Sequence, residues 1–231
     1  RSRSLVGLDV GDSSIKLVQL KELGKGRGWQ VLKLGAEPLS AEAIVDGAIM
    51  DSQLVADTIQ RLFERCRIKS STPVATALSG HSVIVKRISL PNMSEAELAE
   101  SIQWEAEQYI PFDIDDVNLD YQILDASSLD GEGSMDVLLA AAKKDKINDY
   151  VNVITEGGLS PTVVDIAEFA LQNAFEVIYE FEPHVVIALV DVGAAVSSIS
   201  VLYGGTSIYW RDINTGGNAY TDAIQKELNL C

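Results

Sequence analysis

Leu8-Asp9-Val10-Gly11-Asp12-Ser13-Ser14-Ile15-Lys16-Leu17-Val18 and, about 180 residues later, Val190-Asp191-Val192-Gly193-Ala194-Ala195 leading to Ile199-Ser200-Val201-Leu202 decide the fold. Each copy is an apolar strand that reaches an Asp, turns at a Gly and returns as a second strand. An Asp at the end of an apolar strand is costly unless its charge is compensated, and a hydrated divalent cation would do that. The Gly turn lets backbone N–H groups approach an anion, and successive N–H groups form an anion-binding nest. Two such hairpins would grip a metal-bound polyphosphate from both sides. A single Asp-x-Gly reads as an ordinary turn; the matched pair carries the argument.

Outward from the first hairpin, Leu5–Val10 and Ile15–Leu20 are its strands, and 29–36 is a third strand. Leu54, Val55, Ile59, Leu62 and Phe63 follow helical spacing, which predicts an amphipathic helix over 51–66. Residues 73–79 and 83–88 read as strands. Between Ile88 and Ala142 there is no Lys or Arg and there are thirteen Asp and Glu residues. Within that stretch Ser94 and Glu97 form a capping box. Leu98, Ile102, Ala106 and Tyr109 line one face of the helix, which Pro111 ends. Trp104 on this helix reads as a core residue or else a docking residue, the core being preferred. A strand over 117–124 and a turn at 130–133 follow. A strand over 137–142, a helix over 145–156 and a strand over 162–166 read as one strand–helix–strand unit. A helix over 168–180, strands over 185–192, 198–203 and 206–212, and a helix over 220–230 complete the chain.

The formal charge of −16 over 231 residues argues against a duplex-nucleic-acid partner, whose binding needs the opposite sign. Cys66 and Cys231 lie in no Cys/His cluster, so a structural zinc or a disulfide framework is not expected. His81 and His184 read as structural or exposed. No run approaches the roughly 18 apolar residues of a membrane span. The chain lacks an initial Met, and its last 47 residues are too few for a complete second domain, so continuation past Cys231 is expected.

The paired hairpins resemble the two phosphate motifs of the actin/Hsp70/hexokinase superfamily. Further segments are similar to the PilM family of type IV pilus proteins. These are Asp46-Gly47-Ala48-Ile49-Met50-Asp51, Leu90-Pro91-Asn92-Met93-Ser94, Glu105-Ala106-Glu107-Gln108-Tyr109-Ile110-Pro111-Phe112 and Asp136-Val137-Leu138-Leu139-Ala140-Ala141-Ala142-Lys143-Lys144. The FtsA cell-division proteins match the Glu-Gln-Tyr-Ile-Pro-Phe block poorly.

The resemblance implies an α/β, actin-like (ribonuclease H-like) fold. Residues 1–83 and 161–184 would form the first domain, 84–160 an inserted small α/β subdomain, and 185–231 the start of a second domain only partly present. It implies ATP or ADP held by Gly11, Asp12, Ser13, Ser14, Lys16, Gly193, Ala194 and Ala195, with Mg met through water by Asp9 and Asp191. Gly216 and Gly217 would line the nucleotide or form a turn that caps the last helix. Asp165 and Glu168 are the candidates for positioning an attacking water; Glu168 also reads as an acid favoured by a helix start. Two departures suggest weak binding or slow turnover. Ala194 and Ala195 add Cβ atoms where relatives carry glycine, and Asp12 would face and repel the anion. The implied function is a cytoplasmic scaffold of pilus assembly, reaching the membrane only through partners. It would take the N-terminal tail of PilN in a groove beside the inserted subdomain, alongside other assembly proteins or further copies. The alternatives are an active ATPase or phosphotransferase, and a nucleotide-free GspL-like secretion scaffold.

Overall fold

The structure, a computed structural model, describes residues 5–24, 28–80, 83–124 and 133–230. His81, Cys231 and most of the expected turn at 130–133 lie outside them. In chain order the elements are β1 (Val6–Val10), β2 (Ser14–Glu22), β3 (Trp29–Pro38), β4 (Ile44–Val45), β5 (Ala48–Ile49) and α1 (Ser52–Arg65). There follow β6 (Pro73–Leu78), β7 (Val83–Pro91), α2 (Glu95–Glu107), β8 (Val117–Ile123), β9 (Ser134–Lys143), α3 (Lys144–Glu156) and β10 (Ser160–Ile166). Last come α4 (Ala167–Ile178), β11 (Val186–Val192), β12 (Ser197–Tyr203), β13 (Thr206–Ile213) and α5 (Gly217–Leu228). Two compact units result: residues 1–80 with 148–231, and residues 81–147.

The larger unit carries a five-stranded sheet in the order β10-β6-β1-β2-β3 and a three-stranded sheet in the order β11-β12-β13. Alternation buries Val6, Leu8, Val10, Ile15 and Leu17 on one face of the first sheet. Helix α1 supplies Val55, Ile59, Leu62 and Phe63 to the core. It begins at Asp51, whose carboxylate accepts the Leu54 N–H at 2.9 Å. Its last turn sits directly on the edge strand β3. A Cβ at Gly35 would come within 2.6 Å of Cys66 Sγ and 2.9 Å of Leu62 Cδ1. From that turn Arg65 donates to the Ala36 carbonyl and pairs with Glu37 at 2.5 Å. Edge acceptors that would otherwise invite another strand are thereby occupied.

Sequence spacing did not reveal the β4–β5 hairpin. Its turn residues, Asp46 at φ 50° and Gly47 at φ 73°, are both left-handed, the conformation an Asp-Gly pair adopts in a two-residue hairpin. The expected strand–helix–strand unit is also corrected. β9 pairs with β7 and β8, whereas β10 pairs parallel to β6 in the first sheet. The small compact unit ends at Ile147. Beyond it, the end of α3 rests on α1, where a Cβ at Gly157 would meet Ala56 O and Ile59 Cγ2 at 3.2 Å.

The small unit is an antiparallel sheet, β7-β9-β8, covered on one face by α2. Its helix opens on the expected capping box, Ser94 and Glu97 bonding each other's backbone N–H. Leu98, Ile102 and Ala106 pack with Leu90, Met135 and Leu139 in the core. Trp104 does not join them: it lies two residues from Ile102, about 200° around the helix, and is 73% exposed. The core expectation for this residue is wrong because helical phase outweighs ring size.

Leu98→Ala should therefore lower stability by about 2–5 kcal/mol, the cost of a cavity in a packed core. Trp104→Ala should change it by less than about 0.5 kcal/mol. Urea unfolding followed by circular dichroism of both variants checks the pair.

Candidate functional site

The two sequence copies fold as the same hairpin. Gly11 N–H donates to Ser14 O at 3.2 Å, and Gly193 N–H donates to Val196 O at 3.0 Å. Each bond closes a two-residue loop, Asp12-Ser13 in one and Ala194-Ala195 in the other. A Cβ at Gly193 would stand 2.7 Å from Val196 O, and one at Gly11 would stand 3.3 Å from Ser14 O. Close approach requires glycine at 193, and at 11 a Cβ would be tight. None of the four loop residues is left-handed, since the positive-φ non-glycine residues among those described are Asp46, Arg67, His184 and Asn229. Ala194 and Ala195 therefore have no left-handed backbone for their Cβ atoms to disfavour, and an ordinary φ carries no Cβ penalty. Among the described residues the amides of Asp12, Ser13, Ala194 and Ala195 make no hydrogen bond. His184, on the approach to β11, places Nδ1 2.9 Å from the Tyr203 hydroxyl.

Asp9 projects to solvent between buried Leu8 and Val10. Its cross-strand neighbour is Lys16, whose Nζ donates to Asp9 Oδ2 at 2.8 Å. The compensation sought for a buried carboxylate thus comes from exposure and an ion pair within the hairpin. The same ammonium lies over the turn, 3.8 Å from where a Gly11 Cβ would be. The Asp12 carboxylate accepts the Gly47 N–H of the β4–β5 hairpin. Burial raises its pKa, the Gly47 bond opposes this, and Asp46 and Asp9 add to the rise. Beneath lies Tyr150 of α3, which nothing in the sequence singled out. Burial, followed by the charges of Asp12, Asp9 and Asp149, pushes its phenol up to about 12.

The second hairpin gathers a different set. Asp191, Ser198 and Asp212 occupy one register row across β11, β12 and β13. Residues in a row share a face, so all three project toward the same side. Ser198 Oγ donates to Asp212 Oδ1 at 2.7 Å. Glu168, in the first turn of α4, is hydrogen-bonded to Ser198. Its pKa is raised by burial first and by Asp212 and Asp191, against its own N–H and Ser198. Two sequence candidates, Glu168 and Asp191, are thereby brought together. Asp212 was missed; register parity with Ser198 would have found it only once the pairing of β12 and β13 was known. Asp165 is the penultimate residue of β10, and its Oδ1 accepts the Ile166 N–H at 2.8 Å. No contact among the described residues joins it to Glu168.

Gly216 and Gly217 lock the second turn to α5. Gly217 N–H donates to Gly193 O and Asn218 N–H to Ala194 O, both at 2.9 Å. A Cβ at Gly216 would stand 2.6 Å from Gly193 O. Farther along α4, Gln172 accepts from Ser207 Oγ at 2.8 Å, and Phe169 meets Trp210 edge-on at 6.4 Å. These contacts fix the helix that carries Glu168 against the second sheet. Among the described residues no group of three His, Cys, Asp or Glu side chains is arranged to hold a metal ion.

The family model described as type IV pilus assembly protein PilM matches residues 7–231. The chain belongs to the PilM family. It is 31% identical to a chain of a solved PilM–PilN type IV pilus biogenesis complex, with a TM-score of 0.86. That match covers 99% of this chain and 66% of the other, so this PilM-family chain spans just under two thirds of its relative's length. The ethanolamine utilization protein EutJ from Carboxydothermus hydrogenoformans is similar at 16% identity and TM-score 0.54, over 98% of this chain and 57% of that one. So is the cytoplasmic domain of EpsL, an inner-membrane component of the type II secretion system of Vibrio cholerae. It is 14% identical with TM-score 0.55, over 91% of this chain and 71% of that one. The last two likenesses concern the fold alone, which is actin-like α/β as the paired hairpins implied.

Gly216→Ala should push α5 off the turn and lower the melting midpoint by an amount corresponding to about 1–3 kcal/mol. A second outcome follows from Glu168. A carboxyl whose folded pKa is raised binds more protons folded than unfolded, so its contribution declines as pH rises from the ordinary Glu value of 4.5. Glu168→Gln should gain stability relative to wild type over that window and level off above the folded pKa. Thermal melts of both proteins from pH 4 to 8 check the sign.

Proposed function

We propose that this PilM-family chain belongs to a nucleotide-binding scaffold of the type IV pilus assembly machine that takes the N-terminal tail of a PilN-type partner. The supporting observation is similarity to the PilM–PilN complex chain along 99% of this sequence. No helix among the described residues is long and apolar enough to cross a membrane. On this reading the protein works at the cytoplasmic face of the inner membrane and is held there by its partner. The division into a first domain, an inserted subdomain and a second domain, expected from the family, belongs to the same reading.

The nucleotide half of the reading rests on the two hairpins. Four amides unbonded among the described residues, and the Lys16 ammonium, offer donors to phosphate oxygens. Asp9 and Asp191, both exposed, suit a hydrated Mg that arrives with ATP or ADP. Gly216 and Gly217 act by holding the second turn. A bound Mg-nucleotide would supply charge that draws the turns together, which suits a change of shape. The enzyme reading is favoured by one observation: Glu168, with its raised pKa, shares Ser198 with Asp212 beside Asp191. Asp165 is the other candidate for a water-positioning role.

Calorimetry on the full-length protein should show Mg-ATP or Mg-ADP binding. Asp9→Ala or Asp191→Ala should weaken it about tenfold or more, about 1.4 kcal/mol. Absence of heat at millimolar nucleotide sinks the phosphate reading. A synthetic PilN tail from the same organism should bind at micromolar strength. Phosphate release above background that disappears in Glu168→Gln would move the assignment from scaffold to ATPase.

A further inference from the structure

The outer face of α2 carries an exposed tryptophan. Trp104 stands in the last turn of the helix, with Glu100 one turn before it and Glu107 one turn after it, both exposed. Neither carboxylate belongs to an ion pair among the described residues, where the three pairs are Lys16–Asp9, Arg65–Glu37 and Arg87–Asp136. Three lysines of the small unit are engaged elsewhere. Lys86 donates to Tyr109 O at 2.8 Å, Lys144 to Asp115 O at 2.7 Å, and Lys143 lies over the Phe112 ring. Glu97, nearer the helix start, spends its carboxylate on the Ser94 capping box. The ring is therefore flanked by two uncompensated negative charges, on a stretch with no Lys or Arg from Ile88 to Ala142.

We propose that this face, centred on Trp104, receives a basic residue of the partner's tail, with its Arg or Lys stacked on the indole between Glu100 and Glu107. The proposal rests on the reading that a PilN-type tail is the partner. A guanidinium or ammonium is attracted to the indole face and to both carboxylates together. An exposed Trp at the centre of a small patch is the residue type that carries binding energy at interfaces. The same charges repel phosphate, so neither a lipid headgroup nor a nucleic acid fits. Apolar residues of the tail would set affinity elsewhere, and this face would set orientation and association rate.

The test titrates the synthetic N-terminal tail of the same organism's PilN against the full-length protein at low and high salt. A second tail carries Gln for each Arg and Lys. Variants are Trp104→Ala, Trp104→Phe and the double substitution Glu100→Gln, Glu107→Gln, each checked for an unchanged thermal melt. The expected result is a loss of tenfold or more in Trp104→Ala and retention of most affinity in Trp104→Phe. The Glu-to-Gln protein should bind with little salt dependence, and the Gln tail should bind every variant alike. Wild-type binding that persists unchanged in Trp104→Ala and in the double variant overturns this proposal and leaves the pilus reading standing. Equal binding of the Gln tail and the natural tail by wild type overturns it too. No binding of the natural tail by wild type at low salt overturns the partner assignment and this proposal with it.

Discussion

The second turn depends on a close backbone approach. Gly216 lies against the carbonyls of Gly193 and Ala194, leaving no room for a Cβ, and the first two amides of α5 donate to those same carbonyls. A helix N-terminus has orphan donors, and a tight turn has carbonyls to satisfy. Here each answers the other without a side-chain cap. The consequence is mechanical: α5 cannot shift without moving the loop at 194–195.

The first hairpin shares the turn but solves its electrostatics differently. Asp9 is neutralised by Lys16 within the hairpin, and Asp12 is tied to Gly47 of the β4–β5 hairpin. Asp191 has no such lysine; the position facing it on β12 is Ser198, and its company is Glu168 and Asp212. One hairpin therefore offers a cation near its turn, and the other a group of carboxylates. A polyphosphate with its metal needs both kinds of neighbour, since the phosphate oxygens seek donors and the metal's waters seek acceptors. The duplicated fold thus need not mean duplicated roles.

The small unit shows division of labour on a single helix. One stripe of α2 supplies the core, and the opposite stripe holds Trp104 with Glu100 and Glu107. A ring that faces water in the folded chain adds nothing to the core. The fold therefore gives no reason for tryptophan there, whereas an interface would.

Local chemistry in the sequence determined the secondary elements and the duplication. The capping box at Ser94, the helical spacing from Leu54 to Phe63, and the two Asp-x-Gly hairpins each rest on interactions within a few residues. Such contacts survive in any tertiary context, so their residues announce them. The five-stranded order β10-β6-β1-β2-β3 was not legible, because parallel pairing joins strands separated by a whole unit. For the same reason sequence reading paired β9 with β10 in one unit, and left out Asp212 and Tyr150. Their roles come from strand register and from a helix laid beneath a turn, neither of which leaves a local signature. Only the tertiary structure decided that Asp9 is exposed and paired, that Glu168 sits beside Asp191, and that Trp104 faces outward. Burial and charge compensation depend on neighbours the chain brings together at long range.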